Sequence, residues 1–280
     1  MTSLLSMTYI NELFDKYNIS FKKSLGQNFL IDKNALDRII LSADLKKEDV
    51  CLEIGPGIGT LTKELAKSVR EVYAVEIDQR LIPILKETLS RYENVNILNA
   101  DILDLDLEFL YNKELKVVAN LPYYITTPII YSLLSSDLDI KRMVFLVQKE
   151  VAQRFIADKE SKHYGTTSIT MQARAKVEYA FTVKSVCFMP RPNVDSAVIV
   201  IKPVKNLDYK PILLERIVKK AFLQRRKKIT NSLSASGDLE FSKEKWKSIL
   251  MSCGITENMR ADNISIEQYI QLSKEVEKFI

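Results

Sequence analysis

The stretch Val50-Cys51-Leu52-Glu53-Ile54-Gly55-Pro56-Gly57-Ile58-Gly59-Thr60-Leu61-Thr62 decides the fold. Five residues of an apolar strand run into three glycines at alternate positions, and a helix-compatible run follows. Glycine lets the backbone turn tightly and approach a ligand closely. Outward from this stretch, short apolar runs alternate with amphipathic ones. Strands are expected at Val50–Ile54, Val72–Glu76, Val95–Leu98, Lys116–Ala119 and Met143–Val147. Helices are expected at Leu61–Val69 and at Leu81–Leu89, where Pro83 can sit in a first turn. This alternation predicts a parallel sheet covered on both faces. Val177–Val186 and Ala197–Val200 read as a closing antiparallel pair of strands.

The whole chain has 280 residues, 46% hydrophobic and 28% charged, the balance of an ordinary globular protein. It contains no apolar run of membrane-spanning length and no secretory signal pattern, so a cytoplasmic protein is expected. Cys51, Cys187 and Cys253 lack metal-ligand spacing, and the single His163 cannot build a nucleophile–base pair alone. Metal chemistry and histidine base catalysis are therefore not expected. The net charge of +5 is uneven. Residues 201–280 hold 16 basic and 10 acidic side chains, whereas the other 200 hold 25 and 26. A near-neutral core with a polyanion-binding appendage fits that asymmetry.

The domain reading follows. Residues 1–204 form an α/β domain, with an N-terminal helical and basic segment at 1–46. Residues 205–280 form a small all-α domain, with helices at Pro211 to about Leu233, Ser242–Met251 and Ile266–Phe279. Asp32 is placed to cap a helix over Asp32–Leu41, and Tyr9–Tyr17 is a further helix.

The glycine spacing separates two cofactor classes. A dinucleotide fingerprint counted from Gly55 requires a third glycine at position 60, which is Thr60. The G-x-G-x-G found instead is the spacing of S-adenosylmethionine methyltransferases, whose cofactor carries no phosphate. Glu76, 21 residues after Gly55, ends the second strand, where a carboxylate can accept both hydroxyls of a ribose. Asp101 follows the third strand and can accept from an adenine amine. All three lie where open α/β sheets bind ligands.

Asn120-Leu121-Pro122-Tyr123-Tyr124 ends the fourth strand. An adenine N6 amine is a poor nucleophile because its lone pair is delocalised into the ring. Two acceptors facing its N–H bonds draw it towards a tetrahedral shape. Asn120 can supply a side-chain oxygen and Leu121 a backbone carbonyl, held extended by Pro122. Tyr123 offers a stacking face for an extruded base. The chemistry is positioning and preorganised electrostatics, without a tuned base.

Together these motifs resemble the ribosomal RNA adenine N6,N6-dimethyltransferase family. The resemblance spans Phe21 to Tyr269 and includes Gly26–Leu30, Glu53–Thr62, Glu76–Arg80, Gln148–Val151, Tyr164-Gly165, Phe188–Ser196, Gln224–Lys227 and Arg260–Ser265. It implies a Rossmann-like class I methyltransferase with a mostly parallel seven-stranded sheet. It implies contacts from Asn28, Leu30, Gly55, Glu76, Asp101 and Asn120 to S-adenosyl-L-methionine. It makes Phe188 a second wall for the target base, beside the catalytic loop Asn120, Leu121, Pro122 and Tyr123. Its substrate would be two adjacent adenosines in a 3′-terminal hairpin of 16S rRNA, in the small ribosomal subunit or its assembly intermediate. Arg191 departs from the family's usual small residue or proline. Lys22, Lys23, Lys219, Lys220, Arg225, Arg226, Lys227 and Lys228 are the expected RNA contacts, and a monomer is expected. The alternatives are a macrolide-resistance-type 23S rRNA adenine methyltransferase, a non-catalytic ribosome assembly factor, and a nicotinamide-dependent oxidoreductase.

Overall fold

The computed structural model describes residues 3–21, 26–159 and 161–280. The contacts divide the chain into two units, Met1–Ala152 with Glu178–Lys202, and Gln153–Val177 with Pro203–Ile280.

The first unit begins with α1 (Met7–Lys16), a two-residue strand β1 (Phe29–Leu30) and α2 (Lys33–Ala43). Asp32 caps α2, accepting the Ala35 N–H. A seven-stranded sheet follows, built from β2 (Val50–Ile54), β3 (Glu71–Glu76), β4 (Val95–Asn99), β5 (Glu114–Asn120), β6 (Asp139–Gln148), β7 (Ala175–Val183) and β9 (Ser196–Pro203). Between the last two, β8 (Phe188–Met189) pairs antiparallel with β1. Helices α3 (Thr60–Ser68), α4 (Ile82–Thr88), α5 (Thr126–Ser135) and α6 (Lys149–Phe155) connect the strands.

The sheet order is β4-β3-β2-β5-β6-β9-β7. The first five strands run parallel, and β9 runs antiparallel to β6. All five residues of β2 are buried, as a strand covered on both faces requires. From β2 the chain builds outward to β3 and β4 on one side, then returns to lay β5 and β6 on the other. The order therefore reverses between β2 and β5. At such a switch point the loops leaving the two strands diverge and open a crevice at their carboxyl ends. Gly55 follows β2 and Asn120 ends β5, so both motifs sit at this crevice.

The second unit contains α7 (Thr166–Arg174), α8 (Pro211–Phe222), α9 (Ile229–Leu233), α10 (Lys243–Ser252) and α11 (Ile266–Glu277). Trp246, Tyr164 and Tyr269 are its largest fully buried side chains. Two of their hydroxyls tie the Arg260–Ser265 motif into this core: Tyr164 donates to the Ile264 carbonyl and Tyr269 to the Ala261 carbonyl, both at 2.8 Å. Ser265 and Gln268 then form a capping box that starts α11.

Two expectations change. The boundary drawn at 204/205 misses that Gln153–Val177 groups with the C-terminal helices, because α7 packs against α8 and α11. The helix expected over Pro211 to about Leu233 stops at Phe222 and resumes at Ile229. The Ile229 N–H goes to the Met259 carbonyl at 2.7 Å, and Lys228 forms a β-bridge with Arg260. The backbone there is satisfied by the 259–260 segment.

Candidate active site

Loop geometry comes first. Gly55, Gly57 and Gly59 all have positive φ, at +67°, +62° and +89°. Gly57 shows why only glycine serves: a Cβ there would lie 2.8 Å from the Phe29 ring. The loop can therefore fold down until the Gly57 N–H donates to Glu76 Oε2 at 3.1 Å. The Asp78 N–H donates to the other oxygen, Oε1, at 2.8 Å. The carboxylate keeps acceptor capacity for a ligand. Burial raises the Glu76 carboxyl to about 7 against the pull of these backbone donors.

Beside it, Asp78 is held ionised, its carboxyl lowered chiefly by the Arg80 guanidinium. Gln27 donates to Asp78 Oδ2 at 2.8 Å, which ties the segment before β1 to the end of β3. Asp101 lines the same cavity; its Oδ1 accepts the Leu103 N–H at 3.0 Å. Asn28 and Leu30 also line it, so the six expected cofactor contacts surround one space.

Glu53 was not among those six. It is fully buried and lines the cavity. Burial raises its carboxyl to about 8; the nearby Thr62 hydroxyl lowers it, and the Glu76 charge raises it further. Neither Glu53 Oε2 nor Thr62 Oγ1 has a hydrogen-bond partner of good geometry. The available signal was an acidic residue inside an otherwise apolar strand, which costs free energy unless something pairs with it.

The Asn120 loop is ordered by short contacts. The Asn120 amide nitrogen donates to the Asn28 carbonyl at 2.8 Å, which leaves the amide oxygen as the acceptor. The Leu121 N–H is used by the Leu146 carbonyl at 3.1 Å. The Pro122 carbonyl takes the Thr126 hydroxyl at 3.0 Å and the Ile125 N–H at 3.2 Å. Tyr123 lines the cavity, and its hydroxyl bonds Ser196 Oγ at 2.6 Å, a fully buried group at the start of β9.

Phe188 lies elsewhere. It is buried, pairs with Leu30 across the β1–β8 ladder, packs in the cluster of Leu36, Val118 and Val198, and does not line this cavity. Arg191, the residue unusual for the family, donates to Ser185 Oγ at 3.0 Å within the same segment.

The expected RNA cations divide. Lys220 is 4% exposed and donates to the Ala235 and Asp238 carbonyls, so it is an internal strut and not a phosphate contact. Lys219 pairs with Glu215, Arg225 with Asp262, and Lys228 with Asn258. Arg226 and Lys227 are exposed on the turn between α8 and α9 and face no anion among the described residues. Lys22 and Lys23 lie outside the described residues. Lys220→Ala is expected to lower stability by about 1–3 kcal/mol, because it removes a buried cation's hydrogen bonds to the Ala235 and Asp238 carbonyls. Arg226→Ala and Lys227→Ala are expected to leave stability within about 0.5 kcal/mol, while each reduces the salt slope of RNA binding by about one. Thermal unfolding and a salt titration of RNA affinity separate the two classes.

Comparison with known proteins now bears on this geometry. The profile of the family described as "Ribosomal RNA adenine dimethylase" matches residues 18–278. The chain belongs to this family. Ribosomal RNA small subunit methyltransferase A of Bacillus cereus strain B4264 is 45% identical over 94% of this chain and 93% of its own. The Bacillus mycoides protein of the same name is 44% identical over the same shares. Among solved structures, a dimethyladenosine transferase from Plasmodium falciparum aligns with a TM-score of 0.81 at 24% identity, over 89% of this chain and 98% of that one. The 23S rRNA methyltransferase ErmE aligns at 0.71 and 26% identity, over 89% of this chain and all of that one. The membership bears out the expected family, the Rossmann-like methyltransferase fold and the activity of ribosomal RNA adenine dimethylation. No described helix is long and apolar enough to cross a membrane.

Proposed function

We propose that this protein transfers methyl groups from S-adenosyl-L-methionine to N6 of two adjacent adenosines in a 3′-terminal hairpin of 16S rRNA, during small-subunit biogenesis in the cytoplasm. The observation that carries the proposal is the Asn120 amide, pinned by the Asn28 carbonyl so that its oxygen is the acceptor at the mouth of the crevice. That oxygen and the Leu121 carbonyl take the two N6 hydrogens, which frees the amine lone pair from the ring. Neither group is a base, so the proton is left to water.

The cavity suits the donor. The unpartnered Glu53 oxygen offers an acceptor to an ammonium group. Glu76, held by the Gly57 and Asp78 N–H groups, keeps acceptor capacity for a diol. Gly57 lies too close to Phe29 to carry a side chain, so the loop stays low beside a nucleoside. When bound, S-adenosylmethionine supplies an electrophilic methyl group on a sulfonium. Gln27, through Asp78, holds the Gly26–Leu30 segment against this cavity.

The choice of small-subunit RNA rests on identity: 45% to the small-subunit enzymes against 26% to ErmE. The test is transfer of labelled methyl groups to purified unmethylated subunits, followed by mapping of the modified nucleotides. Labelling of the small subunit at two neighbouring adenosines is expected. Labelling of the large subunit alone would replace this reading with the 23S alternative.

A further inference from the structure

Of the residues lining the cavity, two large apolar side chains remain exposed: Ile77 at 46% and Tyr124 at 57%. Ile77 directly follows Glu76, so a nucleoside whose ribose sits on that carboxylate covers it. Tyr124 follows Tyr123, on the target-base side, and the donor does not account for it. Its surroundings give it one supported side. Gly26, in a left-handed conformation at φ +59°, stands against the ring; a Cβ there would meet Tyr124 Cδ1 at 3.5 Å. Tyr123, by contrast, is half-buried, and Ser196 holds its hydroxyl. The two consecutive tyrosines both line the cavity but differ in state: Tyr123 is pinned and half-buried, and Tyr124 is exposed.

We infer that Tyr124 is a second stacking platform, which takes the nucleobase flanking the target adenine. The inference rests on the proposed RNA adenine activity and deepens it. A base drawn to Asn120 leaves its neighbour on the strand at the cavity mouth, unstacked and with an exposed π-face. An aromatic ring backed on one side recovers part of that lost stacking whatever the base, because every base has a π-face. The hydroxyl of Tyr124 has no part in this, so any aromatic residue serves.

The experiment compares wild type with Tyr124→Ala, Tyr124→Phe and Tyr124→Trp, using the full chain. It reads kcat/KM on unmethylated small subunits, affinity for single-stranded oligoadenylate with S-adenosylhomocysteine present, and affinity for S-adenosylmethionine. Tyr124→Ala is expected to lower both of the first two about 5- to 150-fold. Phe and Trp should hold them within about threefold, with S-adenosylmethionine affinity unchanged throughout. Equal loss in the Phe variant would overturn the platform in favour of a hydroxyl contact. Parallel loss of S-adenosylmethionine affinity would overturn it in favour of a cofactor cover. Should wild type fail to label small subunits while Tyr124→Ala still loses oligoadenylate, the substrate reading fails and the platform stands. Labelling by wild type with both readouts unmoved in Tyr124→Ala has the opposite meaning.

Discussion

Asn120→Ala is expected to slow methyl transfer about 10²- to 10³-fold, the usual cost of losing one preorganised polar contact to a reacting group. The variant removes the acceptor proposed to face the target amine. It also leaves the Asn28 carbonyl without its donor, which loosens one wall of the cavity. Affinity for S-adenosylmethionine should therefore fall far less than the rate. Asn120→Asp is the sharper variant. It keeps an acceptor but brings a carboxylate against the Asn28 carbonyl, where the amide had donated. Its rate should be depressed nearly as far as that of the alanine variant. Single-turnover rates with equilibrium cofactor binding measure both. An undiminished rate in Asn120→Ala would reject the mechanism and assign the positioning of the amine to other groups.

The second large effect is a pH dependence of cofactor affinity. Burial raises the Glu76 carboxyl to about 7 in the free protein. A ribose diol donates to the ionised form, so binding favours loss of the proton. Below pH 7 the protonated fraction grows, and affinity should fall towards tenfold per pH unit. Between pH 8 and pH 5.5 the expected loss is about 30-fold. Asp78 stays ionised throughout. Glu76→Gln should bind weakly and with a flat profile. Calorimetry at several pH values checks this, and an unchanged slope in Glu76→Gln would assign the titration elsewhere. The buried Glu53 and Glu76 carboxyls act on stability with the opposite sign. Their folded pKa values lie above those of the unfolded chain, so the fold binds protons more tightly. The stability they contribute is fully present below the unfolded value near 4.5 and is lost as pH rises through about 7 and 8. Cofactor binding should offset that loss.

Much of the site was legible because its chemistry is local. Each proposed cofactor contact from Gly55 onward lies at or just past a strand end, and the positions of β2, β3 and β5 can be read from short apolar runs bounded by polar residues. The helices α5, α6 and α7 were not legible. In α5, Thr126, Thr127, Ile129 and Ile130 are β-branched and Pro128 resembles a breaker. Packing of Ile129, Ile130 and Leu133 into the core overrides that preference. The role of Lys220 was equally hidden, because a cation in a basic run reads as solvated. Only the return of the chain at Ala235 and Asp238 places two carbonyls over it.

By itself, the sequence determined the strand–glycine loop–helix unit, the family, and the proposed acceptors Glu76, Asp101 and Asn120, which line one cavity. All of these depend on residue types at fixed short spacing. The tertiary structure decided what depends on residues far apart in the chain. Asn28 sets the direction of the Asn120 amide from 92 residues away, and Ser196 holds the Tyr123 hydroxyl from 73. Burial in the assembled sheet raises Glu53 and Glu76. It also separated the cations that face solvent, Arg226 and Lys227, from those already paired or buried. No local pattern records these outcomes, because each requires two distant segments to meet and exclude water.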